Sequence, residues 1–196
     1  MNKMPIDSVR GRIRWWLEKF ASSLGNNALE VGSRLHNPNC WWINNRDLAI
    51  GKWTGIDMQA GTGVDFIADI HDLPDDWSNK FSGVLCSEVL EHVRRPWVAI
   101  PELYRVIQPG GYIVITTLFC FHIHGYPDDY FRYTDSGLKG LLEDAGFIDI
   151  GTKYGGNEIL HLKNHDETVF KKSAPHQIFA IARKPEIKKE LQDDAV

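Results

Sequence analysis

Short apolar runs alternate along this chain with longer stretches in which apolar residues recur every three or four positions. Each short run ends in a polar or glycine-bearing corner, as the runs that begin at Ala28 and Trp53 do. Such runs are typical of buried parallel strands, and the three-to-four spacing between them is typical of helices. The alternation therefore predicts an α/β fold in which helices cover both faces of a mostly parallel sheet.

The pattern also places the individual elements. Strands are predicted from Ala28 and over Trp53–Asp57, Val64–Ala68, Phe81–Cys86, Tyr112–Leu118, Phe147–Tyr154 and Gln177–Ala182. Helices are predicted from Asp7 or Ser8 to about Ser22 and over Cys40–Ala49, Pro96–Val106 and Thr134–Ala145. The last two strands form a hairpin-like pair, which would put one antiparallel strand into the sheet. The polar insertion between them is expected to be a lid or a surface loop.

The length of 196 residues predicts one domain, which we place at residues 1–184. Residues 1–24 hold an N-terminal helix that either packs on the domain or closes over the site as a lid. A basic amphipathic segment that touches a membrane surface or an acidic substrate is the alternative for this helix. The charged residues 185–196 are expected to be a disordered tail.

Composition narrows the classes of protein. Hydrophobic residues make up 43% and charged residues 24%, which is ordinary for a soluble globular protein. The net charge of -4 argues against a nucleic-acid partner. Three cysteines without metal-type pairing fit a reducing, cytoplasmic compartment, and no run is apolar enough for a membrane span. A homodimer is left open.

Two strand ends carry the first candidate chemistry. Gly32 permits a tight turn and the close approach of a ligand, and Asp57 can accept hydrogen bonds from both hydroxyls of a ribose. Glu30, just before the glycine, suits a cofactor with a positive end, such as S-adenosylmethionine. A dinucleotide would need further glycines for its pyrophosphate, but Ser33 and Arg34 follow here.

Several motifs in order carry a closer resemblance. Glu30-Val31-Gly32, Asp69–Pro74, Cys86–Val93 and Leu103–Gly111 resemble consecutive motifs of small class I S-adenosylmethionine-dependent methyltransferases of the ubiquinone/menaquinone-biosynthesis type. The resemblance implies a Rossmann-like seven-stranded sheet. It departs from the family at the glycine-rich loop, where Arg34 and His36 replace two glycines. The cofactor-binding residues are predicted to be Glu30, Gly32, Ser33, Arg34, Asp57, Met58, Asp69, Ile70, Ser87 and Glu88.

The acceptor site is predicted in the segment Phe119–Tyr133, which follows the fifth strand and is rich in aromatic, imidazole and carboxylate groups. A packed loop with no chemistry is the alternative. His122 and His124 suggest a metal only weakly, because a third ligand is not evident, and no metal site is predicted. The predicted catalytic residues are His122, His124 and Asp129, and the predicted substrate-binding residues are Asp128, Tyr130 and Arg132.

The predicted function is transfer of a methyl group from S-adenosylmethionine to an oxygen or nitrogen of a small-molecule, sugar or lipid-precursor acceptor. The alternatives are a nicotinamide-dependent oxidoreductase and a non-catalytic cofactor-binding protein.

Overall fold

The computed structural model describes residues 8–35, 48, 51–125, 128–163 and 169–187. The predicted helix Cys40–Ala49, apart from Leu48, and most of the predicted charged tail lie outside these residues. The helices are α1 (Val9–Phe20), α2 (Pro96–Val106) and α3 (Asp135–Asp144). The strands are β1 (Asn27–Val31), β2 (Lys52–Asp57), β3 (Phe66–Ile67), β4 (Phe81–Ser87), β5 (Ile107–Leu118), β6 (Ile148–Gly155), β7 (Glu158–Lys163), β8 (Val169–Ala174) and β9 (Gln177–Arg183).

Seven of the described strands form one sheet in the order β3-β2-β1-β4-β5-β9-β6. β1 to β5 pair in parallel, and β9 runs antiparallel to both of its neighbours, β5 and β6. The predicted fold class, with its single antiparallel strand, is confirmed. Val31 pairs with Ile56 on one side and with Cys86 on the other. The residues that follow these three, Gly32, Asp57 and Ser87, therefore emerge side by side at one edge of the sheet.

Both faces of the sheet are covered. On one face α2 and α3 pack Ile100, Leu103 and Leu138 against the strands, and on the other α1 packs Trp16 and Leu17. Alternate positions of a strand point to opposite faces, so a central strand covered on both faces, as β4 is, must be largely apolar along its length. No helix among the described residues is long and apolar enough to cross a membrane.

The hydroxyl caps of two helices explain where those helices begin. Ser8 Oγ accepts a hydrogen bond from the Gly11 N–H, and Thr134 Oγ1 accepts one from the Gly137 N–H, each at 3.0 Å. Each cap satisfies one of the backbone donors that the first helical turn leaves unpaired. The predicted cap at Thr134 is therefore confirmed. Of the two predicted starts of α1, Asp7 and Ser8, Ser8 provides the cap.

The predicted third strand, Val64–Ala68, is too long, because only Phe66–Ile67 form β3. The reason is Asp65, whose carboxylate accepts a hydrogen bond from the Gly55 N–H at 2.7 Å while its own N–H donates to the Gly55 carbonyl at 2.8 Å. A side chain thus occupies the place of a backbone acceptor in the ladder, and regular pairing starts only after it.

Two further elements differ from the prediction. β5 starts at Ile107 rather than Tyr112, and a register shift between Phe81 and Gly83 on the neighbouring strand accommodates the extra residues. The polar insertion before the last strand, expected to be a lid or a surface loop, contains the antiparallel strand pair β7 and β8.

Candidate cofactor cleft and acceptor segment

The turn after β1 forms the floor of the cleft. The backbone N–H groups of Gly32 and Ser33 both donate to the Ile56 carbonyl, at 2.9 and 3.0 Å, which folds the chain back across the end of β2. Gly32 has a φ of +71°, in the left-handed region that favours glycine. A Cβ on Gly32 would lie 2.4 Å from Val89 Cγ2, so the turn after β4 packs directly on this glycine.

A cavity of about 270 Å³ opens at this turn. It is lined by Val9, Arg10, Ile13, Glu30, Val31, Gly32, Ser33, Arg34, Leu35, Ser87 and Glu88. Six of the predicted cofactor residues are therefore brought together here: Glu30, Gly32, Ser33, Arg34, Ser87 and Glu88. The location agrees with the rule that ligands of open parallel sheets bind beyond the carboxyl ends of the strands.

Two polar groups of the wall suit S-adenosylmethionine. Glu30 is buried yet lines the cavity, and its carboxylate is the group that an ammonium would approach. Ser33 Oγ is buried and has no hydrogen-bond partner among the described residues. A buried hydroxyl without a partner costs free energy, which a bound polar ligand would recover.

The other four predicted cofactor residues lie near the same sheet edge but do not line this cavity. Asp57 Oδ1 accepts a hydrogen bond from the Gln59 N–H at 2.9 Å, and the Arg34 guanidinium donates to Gln59 Oε1 at 2.6 Å. Asp69 Oδ1 accepts from the His71 N–H at 2.9 Å. Met58 is exposed, and Ile70 is buried in the core. The contacts of these four with a cofactor stay predictions.

A chain of hydroxyls and carboxylates runs along the wall between β4 and β5. Ser87 Oγ lies 2.8 Å from Thr116 Oγ1, and the Thr116 hydroxyl donates to Glu88 Oε1 at 2.8 Å. Glu88 also has a φ of +54°, which is rare for a residue with a side chain and turns its carboxylate back toward β5. Burial, and then the nearby charge of Glu91, raise the pKa of the Glu88 carboxyl. Such a group can take up a proton near neutral pH.

The predicted acceptor segment is held by one guanidinium. Arg132 donates to Asp129 Oδ2 at 2.7 Å and to the carbonyl oxygens of Phe121, His122 and Phe131. The hydrogen bonds from Arg132 hold the pKa of the Asp129 carboxyl well below its usual range. Most hydrogen bonds of Arg132 and Asp129 are therefore made within the segment and fix its conformation.

The remaining predicted residues of this segment differ in exposure. Asp128 Oδ2 accepts a hydrogen bond from the Tyr130 hydroxyl at 2.9 Å, and both residues are exposed. His122 is exposed and His124 is half-buried. The backbone N–H of His124 donates a hydrogen bond to Asp129 Oδ2 at 2.8 Å. Catalytic and substrate-binding roles for these residues, and for Asp129 and Arg132, stay predictions.

Two parts of the site were not among the predicted site residues. Val9, Arg10 and Ile13 of α1 line the cavity, whereas the sequence predicted only a helix that packs on the domain or closes over the site. Glu91 and His92 meet His124 at the acceptor end, with one potential ligand atom from each residue within 4.8 Å of the others. No local sequence pattern could have indicated this contact, because His124 is more than 30 positions away from Glu91 and His92 in the sequence.

The fold is shared with solved S-adenosylmethionine-dependent methyltransferases. The family model described as a methyltransferase domain matches residues 48–115. A methyltransferase from Archaeoglobus fulgidus described as SAM dependent superposes with a TM-score of 0.65 at 15% identity, covering 90% of this chain and 95% of that one. The Burkholderia thailandensis 1,6-didemethyltoxoflavin-N1-methyltransferase, solved with its acceptor and S-adenosylhomocysteine, superposes with a TM-score of 0.60 at 14% identity, covering 92% and 80%.

Sequence relatives point in the same direction. The ubiquinone biosynthesis O-methyltransferase of Dechloromonas aromatica is 26% identical over 113 residues, which cover 53% of this chain and 49% of that protein. The protein of the same name from Alkalilimnicola ehrlichii is 37% identical over 71 residues, or 36% and 28% of the two chains. This chain thus spans at most about half the length of the relatives it matches. The resemblance to class I S-adenosylmethionine-dependent methyltransferases drawn from the sequence is confirmed by the family model and by these relatives.

Proposed function

We propose that this protein transfers a methyl group from S-adenosylmethionine to a hydroxyl oxygen of a small aromatic acceptor. The observation that carries the proposal is the convergence of Glu30, Gly32 and Ser33 on one cavity beyond the carboxyl ends of β1 and β4. The sequence relatives are named as O-methyltransferases, which favours an oxygen over a nitrogen.

The binding roles follow from charge and position. Glu30 would hold the amino group of the methionine moiety, and Asp57, at the end of the neighbouring strand, would accept the ribose hydroxyls. Ser33 Oγ would gain the partner that it lacks within the described chain. The apolar side chains of Val9 and Ile13 would exclude water from that end of the cleft.

S-adenosylmethionine supplies an already activated methyl group, so the protein's task is orientation and removal of one proton. With S-adenosylmethionine held by Glu30 and Asp57, the acceptor oxygen would gain the methyl group, sulfur would keep the electrons of the broken carbon–sulfur bond, and the hydroxyl proton would have to be removed. Glu88 is the carboxylate best suited to take that proton, because it lines the cavity and its pKa is raised.

An aromatic acceptor fits the segment that follows β5. The Phe121 ring lies 5.2 Å from the His124 ring and 4.8 Å from the His176 ring, and Trp97 meets Phe131 edge-on at 6.3 Å. Aromatic rings in these arrangements form flat, apolar walls of the kind that bind other rings. A polar sugar would find fewer donors here, because the Arg132 guanidinium donates to groups within the segment.

Titration calorimetry with S-adenosylhomocysteine and with NAD tests the cofactor assignment. We expect binding of S-adenosylhomocysteine and none of NAD. Asp57→Ala should weaken S-adenosylhomocysteine binding at least about tenfold, since each charge-assisted bond contributes about 1.5–3 kcal/mol. Asp144→Ala, which removes an exposed carboxylate at the end of α3, is the matched control and should leave affinity unchanged. Binding of NAD alone would refute the assignment.

Transfer of labelled methyl groups to matched panels of phenols and aromatic amines tests the acceptor class. We expect turnover with phenols and little with amines. Glu88→Gln should reduce turnover with phenols and retain cofactor affinity. Cofactor binding without transfer to either panel would favour a non-catalytic role, and transfer to amines alone would contradict the hydroxyl assignment.

A further inference from the structure

Two imidazoles and a carboxylate from separate parts of the chain converge beside the acceptor segment. Glu91 and His92 belong to the short 3-10 turn Leu90–His92 that follows β4, and His124 lies beyond the end of β5. One potential ligand atom of each residue lies within 4.8 Å of the other two. Glu91 Oε1 and His92 Nε2 are 3.9 Å apart, and the two imidazole rings are 4.9 Å apart.

The carboxylate of this cluster is buried and only half satisfied. Glu91 is 1% exposed, and its Oε2 accepts a hydrogen bond from the Thr117 hydroxyl at 2.8 Å. Its Oε1 is buried and lacks a hydrogen-bond partner among the described residues. His124 Nδ1 also makes no hydrogen bond there, but it lies 3.3 Å from Asp129 Oδ2. A buried carboxylate is expensive unless a cation or sufficient donors compensate it. The side of Glu91 that faces the imidazoles is the uncompensated side.

Neighbouring groups hold both imidazoles in place. His92 Nδ1 lies 2.6 Å from the Asp128 carbonyl oxygen, and because a carbonyl only accepts, that nitrogen must carry a proton. In the neutral imidazole the lone pair of His92 is then on Nε2, the atom nearer Glu91. His124 is fixed by its backbone N–H, which donates to Asp129 Oδ2, and Asp129 is in turn fixed by Arg132. Metal-bound histidines have this kind of outer support.

We propose that Glu91, His92 and His124 bind a divalent first-row transition-metal ion. Two imidazoles and one carboxylate are a donor set of catalytic zinc and non-haem iron sites, in which other positions stay open. Two donors that each lie about 2.1 Å from a tetrahedral ion are about 3.4 Å apart. The 3.9 Å between Glu91 and His92 would therefore need to close by roughly half an ångström, and a pair at the 4.8 Å limit by roughly 1.4 Å, when the ion binds.

The position suggests what the open coordination positions would hold. Glu91 and Glu88 bond to the adjacent residues Thr117 and Thr116, and Glu88 lines the cofactor cavity. Side chains of adjacent strand residues point to opposite faces, so an ion at Glu91 would lie across the sheet edge from the cavity residue Glu88. His124 belongs to the predicted acceptor segment, so an acceptor hydroxyl bound there would reach the ion, which would lower the pKa of that hydroxyl. This role depends on the proposed function, whereas metal binding itself does not.

Metal affinity measured on the full chain tests the site. Protein stripped with a chelator should take up about one equivalent of Zn²⁺ by calorimetry, and Co²⁺ should give visible absorption bands of a bound ion. Glu91→Gln and His124→Asn each remove one ligand and should weaken metal binding about tenfold or more. His122→Asn changes an exposed histidine two residues from His124 and is the matched control, with metal affinity unchanged.

A stability measurement separates a metal site from a merely structural cluster. Without metal, Glu91→Gln should melt no lower than the wild-type protein, because a buried carboxylate becomes neutral and keeps its shape. With Zn²⁺, the wild type should gain more stability than Glu91→Gln. No stoichiometric uptake by the wild type, or equal affinities in the wild type and both ligand variants, would overturn the proposal. If Glu91→Gln fails to fold, the metal affinities of His92→Asn and His124→Asn should be measured instead, and wild-type affinity in both would overturn the proposal.

S-adenosylhomocysteine affinity, measured on the same samples, distinguishes this proposal from the proposed function. Metal uptake without cofactor binding would retain the metal site and reject methyl transfer. Cofactor binding and turnover that do not depend on metal or on the ligand variants would reject the metal site alone.

Discussion

Replacement of Gly32 by alanine tests how the cleft is built. Gly32 has a φ of +71°, a conformation that costs a residue with a side chain roughly 1–2 kcal/mol. Its new Cβ would also meet Val89 Cγ2 at 2.4 Å, and overpacking of this kind costs about 1–3 kcal/mol more. We therefore expect Gly32→Ala to lower the free energy of unfolding by about 2–5 kcal/mol, measured by urea denaturation.

The clash and the backbone strain can be separated by a double-mutant cycle. Val89→Ala removes the methyl group that Gly32→Ala would strike, so the double variant should retain the strain and lose the clash. The two changes should then be non-additive by about 1–3 kcal/mol, with the double variant more stable than the sum predicts. Additive effects would show that Val89 does not pack on this glycine.

Cofactor affinity and a control glycine complete the test. Since Val89 follows the cavity residues Ser87 and Glu88, a displaced Val89 should weaken S-adenosylhomocysteine binding, by about tenfold for each 1.4 kcal/mol. Gly140→Ala is the control, because its Cβ would meet nothing within 4 Å inside α3, and it should stabilise the protein by about 0.5–1 kcal/mol. A Gly32→Ala variant as stable as the wild type and with unchanged affinity would refute the reasoning.

Two further changes probe single polar groups. Ser33→Ala should weaken S-adenosylhomocysteine binding about threefold to tenfold by calorimetry, the loss of one ordinary hydrogen bond, while leaving the free protein as stable or more stable. Equal affinity would show that its Oγ faces no ligand. Lys184→Met should lower the free energy of unfolding by about 3 kcal/mol, because the buried ammonium donates to three oxygens. Burial lowers the pKa of Lys184 below its ordinary value of 10.5. As pH approaches 10.5 from below, the unfolded chain therefore binds more protons at this lysine than the folded chain does. The free energy of unfolding should rise with pH in that range in the wild type, and this rise should be absent in Lys184→Met.

Much of the fold could be predicted from local pattern. The apolar runs of β1, β2 and β4 are buried on both faces, and such runs can hardly be anything but interior strands. Helix α3 begins where a threonine can cap it. β3 was predicted too long, because an aspartate that competes with the backbone for a hydrogen bond is not visible in a hydrophobicity pattern.

The arrangement of the cleft, like the fold, could be predicted from the sequence only in part. That Glu30, Gly32 and Asp57 lie at one edge of the sheet follows from their places at strand ends, which the sequence determines by itself. Which of the predicted cofactor residues share a cavity does not follow, because side-chain direction depends on packing across strands. Only the tertiary structure shows that Gly32 is needed for Val89 as well as for the turn, and that α1 lies against the cavity.

The sequence by itself determined the class of fold, the sheet edge at which the predicted cofactor residues lie and the kind of cofactor to expect, since periodicity and strand-end residues are local properties of the chain. Tertiary structure alone decided that His124 lies close to Glu91 and His92. It also decided that Arg132 donates hydrogen bonds to Asp129 and to three carbonyl oxygens. These contacts join segments that are distant in sequence, and their formation depends on the lengths and directions of all the elements between them. A motif records which groups a chain carries, whereas the packed sheet and its turns decide which of those groups face one another.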